Sequence, residues 1–216
     1  MTWQTFVFLA VAGAAFGYSG YRFNILYRLL KAQQGKLPPF GEVGPRIWTF
    51  IEYVLGQRAV LQKRAAGIMH ATIFWGFLII SLGTLEQFVS TLYQPANFEF
   101  IGHAPYAALV FVQDFFTTAI LVALSYAAYR RYIVRPEGLG KSRDANIVLA
   151  MTSSLMVSIL LMNAFTILGH KPEFAGSMFV SNWLASSFEG IGMSTDAAQV
   201  LGLVFKWIHM LIVLGF

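Results

Sequence analysis

The chain has 216 residues, of which 57% are hydrophobic and 12% are charged, and its formal net charge is +5. Soluble proteins carry about twice that fraction of charged residues, so the composition excludes an ordinary soluble enzyme and indicates a membrane protein. The sequence has no cysteine, which excludes disulfides, iron–sulfur ligands and thiol chemistry within these residues. Its basic residues lie between apolar runs, so the positive charge does not indicate a nucleic-acid partner.

Five apolar segments are long enough, or nearly long enough, to cross a bilayer as helices, which takes about 20 residues each. They are Phe6–Leu26, Ile68–Phe88, Tyr106–Tyr129, Ile147–Leu168 and Leu201–Phe216. The sequence therefore predicts an all-α integral membrane bundle of five transmembrane helices, folded as one domain over residues 1–216. Because no positive charge precedes the first segment, we expect a retained helix there and not a cleaved signal.

The loop at residues 34–66 follows the first segment. Gln34–Pro45 is rich in proline and glycine and reads as an irregular turn. Arg46–Arg64 carries its apolar side chains on one helical face, which predicts an amphipathic helix lying at the membrane surface. Such a helix either anchors the bundle or docks a cytoplasmic electron donor.

Basic residues are concentrated in two of the loops. Arg22 near the end of the first segment, the loop after that segment and the loop after the third together account for 13 of the 15 lysines and arginines. The positive-inside rule places both loops in the cytoplasm and the N-terminus outside. We expect the membrane to be the cytoplasmic membrane of a bacterium or archaeon.

Two ionisable residues lie in the second and third segments. His70 enters the second segment just after Arg64, toward the cytoplasmic side. Asp114 lies within the third segment, where a charged carboxylate is costly unless it is protonated or has a partner. Asp114 therefore either makes a structural hydrogen bond to another helix or delivers protons to a quinone.

The end of the fourth segment and the fifth segment contain three more candidates. His170 follows Gly169, which would let a flat macrocycle approach. Lys206 is expected near the outer boundary, where it meets a haem propionate or extends to the interface, and His209 lies one turn further on. If Lys206 marks the boundary, the fifth helix is too short to cross, so we expect a chain that is part of a longer protein.

His70 and His209 suggest haem iron, because thiolates are absent and haem takes nitrogen ligands. An imidazole in an apolar helix is otherwise hydrogen-bonded across helices or faces an aqueous cavity. Since the two histidines are expected on opposite sides of the membrane, two haems fit better than one shared iron. His170 is the better of the two interface histidines to complete a site with His209, and His103 is the weaker.

Several motifs resemble one family of redox proteins. The chain is similar to the membrane part of heterodisulfide-reductase-related iron–sulfur oxidoreductases and to the cytochrome b gamma subunit of respiratory nitrate reductase. The motifs that carry the resemblance are Val54-Leu55-Gly56-Gln57-Arg58, Gly67-Ile68-Met69-His70, Phe74-Trp75-Gly76-Phe77, Val112-Gln113-Asp114-Phe115 and Lys206-Trp207-Ile208-His209.

This resemblance implies b-type haem, usually two, and electron transfer between a cytoplasmic partner and menaquinone or ubiquinone in the membrane. It implies that His70 and His209 are axial ligands, and that [4Fe–4S] clusters lie only outside this segment. The expected partner is an iron–sulfur domain or subunit, or an electron-transfer flavoprotein. Gamma subunits have a second histidine in helix two, where this chain has Ile79-Ile80-Ser81. The outer iron is thus either five-coordinate or bound by His170.

The function predicted from the sequence is therefore a haem b membrane domain of a quinone-linked oxidoreductase. Two alternatives remain open: a secondary transporter or channel that uses Asp114, Lys206 and the histidines as a polar path, and a membrane anchor subunit without a cofactor. No nucleotide-binding or hydrolase motif is evident.

Overall fold

The computed structural model describes residues 3–32, 41–93, 95–137 and 142–215, and every regular element within those ranges is helical. Its α-helices are α1 Trp3–Ala32, α2 Val43–Thr49, α3 Arg58–Leu61, α4 Arg64–Leu92, α5 His103–Tyr129, α6 Arg143–His170, α7 Phe179–Gly190 and α8 Thr195–Gly215. Turns of π-helix continue α2 as Phe50–Leu55 and α5 as Arg130–Val134, and 3₁₀ turns occupy Phe98–Ile101 and Glu173–Ser177. The predicted all-α class is confirmed for this part of the chain.

Four helices of the described chain are long and apolar enough to cross a membrane. They are Arg64–Leu92, His103–Val134, Arg143–His170 and Thr195–Gly215. α1 has 30 residues but is not among them, because its glycines, its tyrosines and Arg22 dilute its apolar character. A crossing by Phe6–Leu26, the five-span count and the orientation therefore stay predictions.

The fifth predicted segment is longer than expected. α8 begins at Thr195, six residues before the predicted start at Leu201, and has 21 residues. That length spans about 30 Å as a helix. The expectation that this helix is too short to cross was therefore wrong, because Lys206 does not mark its outer end.

The chain forms two compact units, Met1–Ala71 and Thr72–Phe216. α4 begins in the first unit and continues in the second. The prediction of one domain over residues 1–216 is not tested by this division.

The predicted interfacial helix Arg46–Arg64, in the first unit, is not continuous. α2 and its π-helical extension cover Val43–Leu55, and the helix is then interrupted at Gln57, whose φ of 51° lies in the left-handed region. The Gln57 side-chain amide donates to the Val54 carbonyl at 2.6 Å and closes this helix end. Most of the predicted turn Gln34–Pro45 lies outside the described residues, and its last three residues begin α2.

In the second unit, α8 packs antiparallel to α6 over most of its length. Gly169 near the end of α6 faces Gln199 near the start of α8, and an added Cβ at Gly169 would lie 2.8 Å from the Gln199 side chain. One turn along α8, Gly202 packs against Thr166. The small residue Gly169 thus serves helix packing, and not the approach of a macrocycle that the sequence suggested.

Two apolar clusters form the core of this unit. One contains Ile120, Leu155 and Met156, and the other contains Val110, Phe165 and Ala198. α4 lies close to α5 at Gly76, where an added Cβ would be 2.8 Å from Ile120. Between these contacts the four long helices leave a cavity.

Candidate functional site

His209 is the histidine most deeply enclosed by the bundle, and only 1% of its surface is exposed. Its Nδ1 lies 3.1 Å from the Ser158 hydroxyl on α6. That hydroxyl donates its one hydrogen to the Leu155 carbonyl at 2.7 Å, so it can only accept from the ring. We therefore assign the ring proton to Nδ1, and this assignment leaves the lone pair on Nε2. Nε2 lies 3.4 Å from the Thr84 hydroxyl on α4.

The depth of His209 differs from the sequence expectation. It lies 14 residues beyond Thr195, which is about 21 Å along α8. Its partner Ser158 is close to the middle of the 28-residue helix α6. His209 is therefore near the middle of the bundle, and the prediction of an outer position was wrong because the helix begins earlier than expected.

The cavity has a volume of about 460 Å³ and is lined by residues of α4, α5, α6 and α8. That volume is in the range of sites for small ligands and cofactors. His209, Lys206 and His170 all contribute to its wall. The structure thus brings together three of the residues that the sequence singled out.

His209 and His170 lie at opposite ends of this cavity. His209 is level with Ser158, and His170 is twelve residues further along α6, a rise of about 18 Å. Two axial ligands of one iron lie on either side of a single atom, so these two histidines do not share one iron in this arrangement. The spacing does not favour a site shared by His170 and His209, and a ligand role for His170 stays a prediction. We refer below to the His209 end and the His170 end of the cavity.

Lys206 lies one turn before His209 on α8, and its side chain is partly buried in the cavity wall. The ion pairs of the described residues join Arg58 to Glu52 and Lys171 to Glu189, so the Lys206 ammonium has no carboxylate partner within that part of the chain. It is a cation directed at a cavity, which is compatible with an anionic group on a bound molecule.

Asp114 does not line the cavity; it is 1% exposed and caps the first turn of α7. Its carboxylate accepts hydrogen bonds from the Val180 backbone at 2.7 Å, the Ser181 backbone at 3.3 Å and the Ser181 hydroxyl at 2.5 Å. A negative charge at a helix N-terminus is favourable because the free N–H groups of the first turn point at it. This geometry matches the structural alternative, and a quinone or proton role for Asp114 stays a prediction.

His70 lies in the first unit, on the seventh residue of α4, and its side chain is exposed. It is not among the residues that line the cavity of the second unit. His103, at the start of α5, is likewise exposed. A ligand role for His70 stays a prediction that the structure does not test.

Two cavity residues were missed by the sequence reasoning. Glu86, on α4, is the single carboxylate that lines the cavity within the described chain, and its Oε1 accepts from the Phe98 backbone at 2.7 Å. Gln113, on α5, places a buried Nε2 in the cavity wall with no hydrogen-bond partner among the described residues. An acidic residue inside the apolar segment Ile68–Phe88 was the signal for Glu86; Gln113 had none beyond its place beside Asp114.

Within the described residues, no group of three or more His, Cys, Asp or Glu side chains is arranged to hold a bare metal ion. Haem differs in this respect, since the porphyrin supplies four nitrogen ligands and the protein supplies one or two. The feature relevant to haem binding is therefore a single imidazole beside a cavity, and His209 provides it.

Comparisons with known proteins relate the chain to redox enzymes. It is 31% identical over 163 residues, 76% of its length, to a probable iron-sulfur-binding oxidoreductase, FadF, of Bacillus subtilis. It is 26% identical over 225 aligned positions, 97% of its length, to an EtfAB:quinone oxidoreductase of Syntrophomonas wolfei. No family model and no solved structure matches the chain.

The chain spans less than a third of the length of either relative, 23% of the first and 30% of the second. The predicted resemblance to iron–sulfur oxidoreductases is supported by these matches, whereas a cytochrome b domain is not tested by them. The chain is thus related to a part of two larger oxidoreductases.

Proposed function

We propose that this chain is the haem b membrane domain of a quinone-linked oxidoreductase. Its role would be to carry electrons between a cytoplasmic iron–sulfur or flavoprotein partner and menaquinone or ubiquinone in the membrane. The relatives support the redox and quinone parts of this proposal through what their names state. The observation that carries the haem part is the buried imidazole of His209, which turns an unprotonated Nε2 away from its anchor on Ser158.

The residues present fit one axial haem ligand in the cavity. Metal-bound histidines usually donate their second ring N–H to a fixed acceptor, which sets the tautomer and the orientation of the ring. Ser158 provides that acceptor for His209. No second imidazole lies at the same level among the described cavity residues, so His209 would be the one histidine that holds the iron there.

His70 would be an axial ligand of a second haem. The chain has no cysteine, so the iron–sulfur clusters of the complete enzyme would lie outside this segment. Electron-transfer flavoprotein is the partner suggested by the relative from Syntrophomonas wolfei, which is named for EtfAB.

A bound haem would supply reversible one-electron transfer at a potential set by its axial ligand, its burial and the hydrogen bonds around it. The chain's own residues would orient the ligand, exclude water and bind the charged groups of the bound molecule. Ser158 would hold the imidazole, Ile80 and Ile159 would exclude water at the His209 end, and the Lys206 ammonium would pair with a carboxylate group of the bound molecule.

The transporter alternative is weaker, because one of its three groups is engaged elsewhere. The Asp114 carboxylate holds α7 and does not line the cavity, so it does not contribute to a polar path there.

The function is tested with the purified full chain under anaerobic conditions. The chain is first reduced with dithionite, and the excess dithionite is removed. Addition of a short-chain naphthoquinone should then reoxidise the haem, which is seen as loss of the reduced b-type absorption bands. A colourless preparation that binds no quinone would exclude this function and favour a membrane anchor. A haem that is reduced but is not reoxidised by the quinone would exclude the quinone link.

A further inference from the structure

The wall that α4 and α5 give to the cavity carries one carboxylate of the described chain, that of Glu86. Glu86 lies in the part of α4 that lines the cavity. Going along α4, Thr84 faces His209 and the Gln87 amide contacts the sulfur of Met162 at 3.1 Å. Because Met162 is four residues beyond Ser158 on α6, Glu86 lies toward the His170 end.

Glu86 is held in place from two sides. Its Oε1 accepts from the Phe98 backbone, in the connection between α4 and α5. The Tyr106 hydroxyl on α5 contacts the same carboxylate, and the Tyr106 ring packs edge-on against Phe174 with ring centres 5.0 Å apart. The carboxylic acid form of a glutamate that is fixed at the wall of a cavity can pass a proton to a bound molecule.

Gln113 supplies a hydrogen-bond donor on the same wall. Its amide lies 3.1 Å from the position of an added Cβ at Gly83. Glu86 follows Gly83 by three residues, so the two side chains are about one helical turn apart along α4. A buried amide nitrogen without a partner is costly unless a ligand accepts from it, and a quinone carbonyl oxygen is such an acceptor.

We propose that the cavity binds the quinone head group against its α4 and α5 wall, with Gln113 Nε2 donating to one carbonyl oxygen near the level of His209 and Glu86, about one turn nearer the His170 end, exchanging protons with the ring oxygens. This inference rests on the quinone link of the proposed function. It assigns the proton chemistry to Glu86, and not to Asp114, whose carboxylate is occupied by α7.

A quinone takes up two electrons, which the flavoprotein or iron–sulfur partner would supply, and two protons. Glu86 in its acid form gives one proton to a ring oxygen and is reprotonated by water from the His170 end, and the same cycle delivers the second proton. In the opposite direction, the quinol gives both protons to the Glu86 carboxylate in turn.

The test compares proton exchange with binding in the full chain. The substrate is a short-chain naphthoquinol with an artificial one-electron acceptor, and binding of the naphthoquinone is followed by quenching of tryptophan fluorescence. E86Q should lower kcat by about 100-fold or more and leave the dissociation constant nearly unchanged, and added formate should restore part of the rate. E99Q is the matched control, because Glu99 is exposed and does not line the cavity; it should behave as the unmodified protein.

E86Q with an unchanged kcat at saturating quinol would overturn the proposal. If E86Q fails to fold, Y106F replaces it, since it keeps the ring that packs on Phe174 and removes the hydroxyl beside Glu86. Y106F should lower kcat without weakening binding, and an unchanged kcat would again overturn the proposal. If the unmodified chain neither binds the naphthoquinone nor oxidises the quinol, the proposed function itself fails and this assignment falls with it.

Discussion

The Ser158 hydroxyl, itself bonded to the Leu155 carbonyl, accepts the Nδ1–H of His209 and fixes which ring nitrogen keeps its lone pair. The pair joins the middle of α6 to the C-terminal half of α8. A buried histidine with both nitrogens satisfied by the protein would be structural. Here the second nitrogen has a hydroxyl at 3.4 Å, which is a long contact, beside a cavity.

Removal of the Ser158 hydroxyl should weaken haem binding and leave the fold intact. S158A frees the His209 ring to rotate, and loss of such a partner costs about 10–100-fold in metal affinity in known sites. Titration of haemin into the haem-depleted chain measures this effect. S154A on an exposed position of the same helix should bind haemin as the unmodified chain does, and equal affinities for the two variants would contradict the role of Ser158.

Asp114 should matter for stability more than for turnover. D114A leaves the Val180 and Ser181 backbone groups without their acceptor, and hydrogen bonds to a charged group contribute about 1.5–3 kcal/mol. Thermal unfolding in detergent should therefore begin at a lower temperature. D196A, in the exposed first turn of α8, is the control and should have a smaller effect. A D114A protein of unchanged stability that no longer oxidises quinol would favour a proton role for Asp114.

Two glycines between α6 and α8 should respond differently to the same substitution. G169A places a methyl group 2.8 Å from the Gln199 side chain and 3.2 Å from its backbone nitrogen, so the helices must separate, at a cost of about 1–3 kcal/mol. At Gly202 the nearest atoms are 3.6 Å from an added Cβ, and G202A should be tolerated. Thermal unfolding of both variants measures the difference; equal destabilisation would contradict the close approach at Gly169.

His70 is predicted to hold a haem that does not depend on the cavity. H70A should then remove part of the haem per chain, and the haem that remains should still bind at His209. The pyridine haemochromogen assay gives the haem content. H70A with the full content would show that His70 is not a ligand, and the two-haem prediction would fail.

The helices could largely be predicted from the sequence, because 20-residue apolar runs have few alternatives in a membrane. Their ends could not. The sequence predicts a last apolar segment that begins at Leu201, whereas α8 begins at Thr195 and its first turns pack on the end of α6 through Gln199 and Gly169. That shift of six residues moved His209 from the outer side to the middle of the bundle.

The candidate site was predicted in its parts but not in its arrangement. His209, His170 and Lys206 line one cavity. The distance between His209 and His170 follows from the pairing of α6 with α8, which a single sequence does not specify. Asp114 and Glu86 are both acidic residues in apolar segments, so the sequence does not distinguish their roles. The difference is that the Asp114 side chain reaches α7, whereas Glu86 lines the cavity.

The haem content of H209A tests the central claim most directly. The unmodified full chain should show a Soret band and a reduced b-type α band. H209A should lose the haem of the cavity, at least half of the total if His70 holds another, while H103A, at an exposed position outside the cavity, should retain all of it. An H209A protein with the haem content of the unmodified chain, or an unmodified chain that binds no haem, would contradict the account.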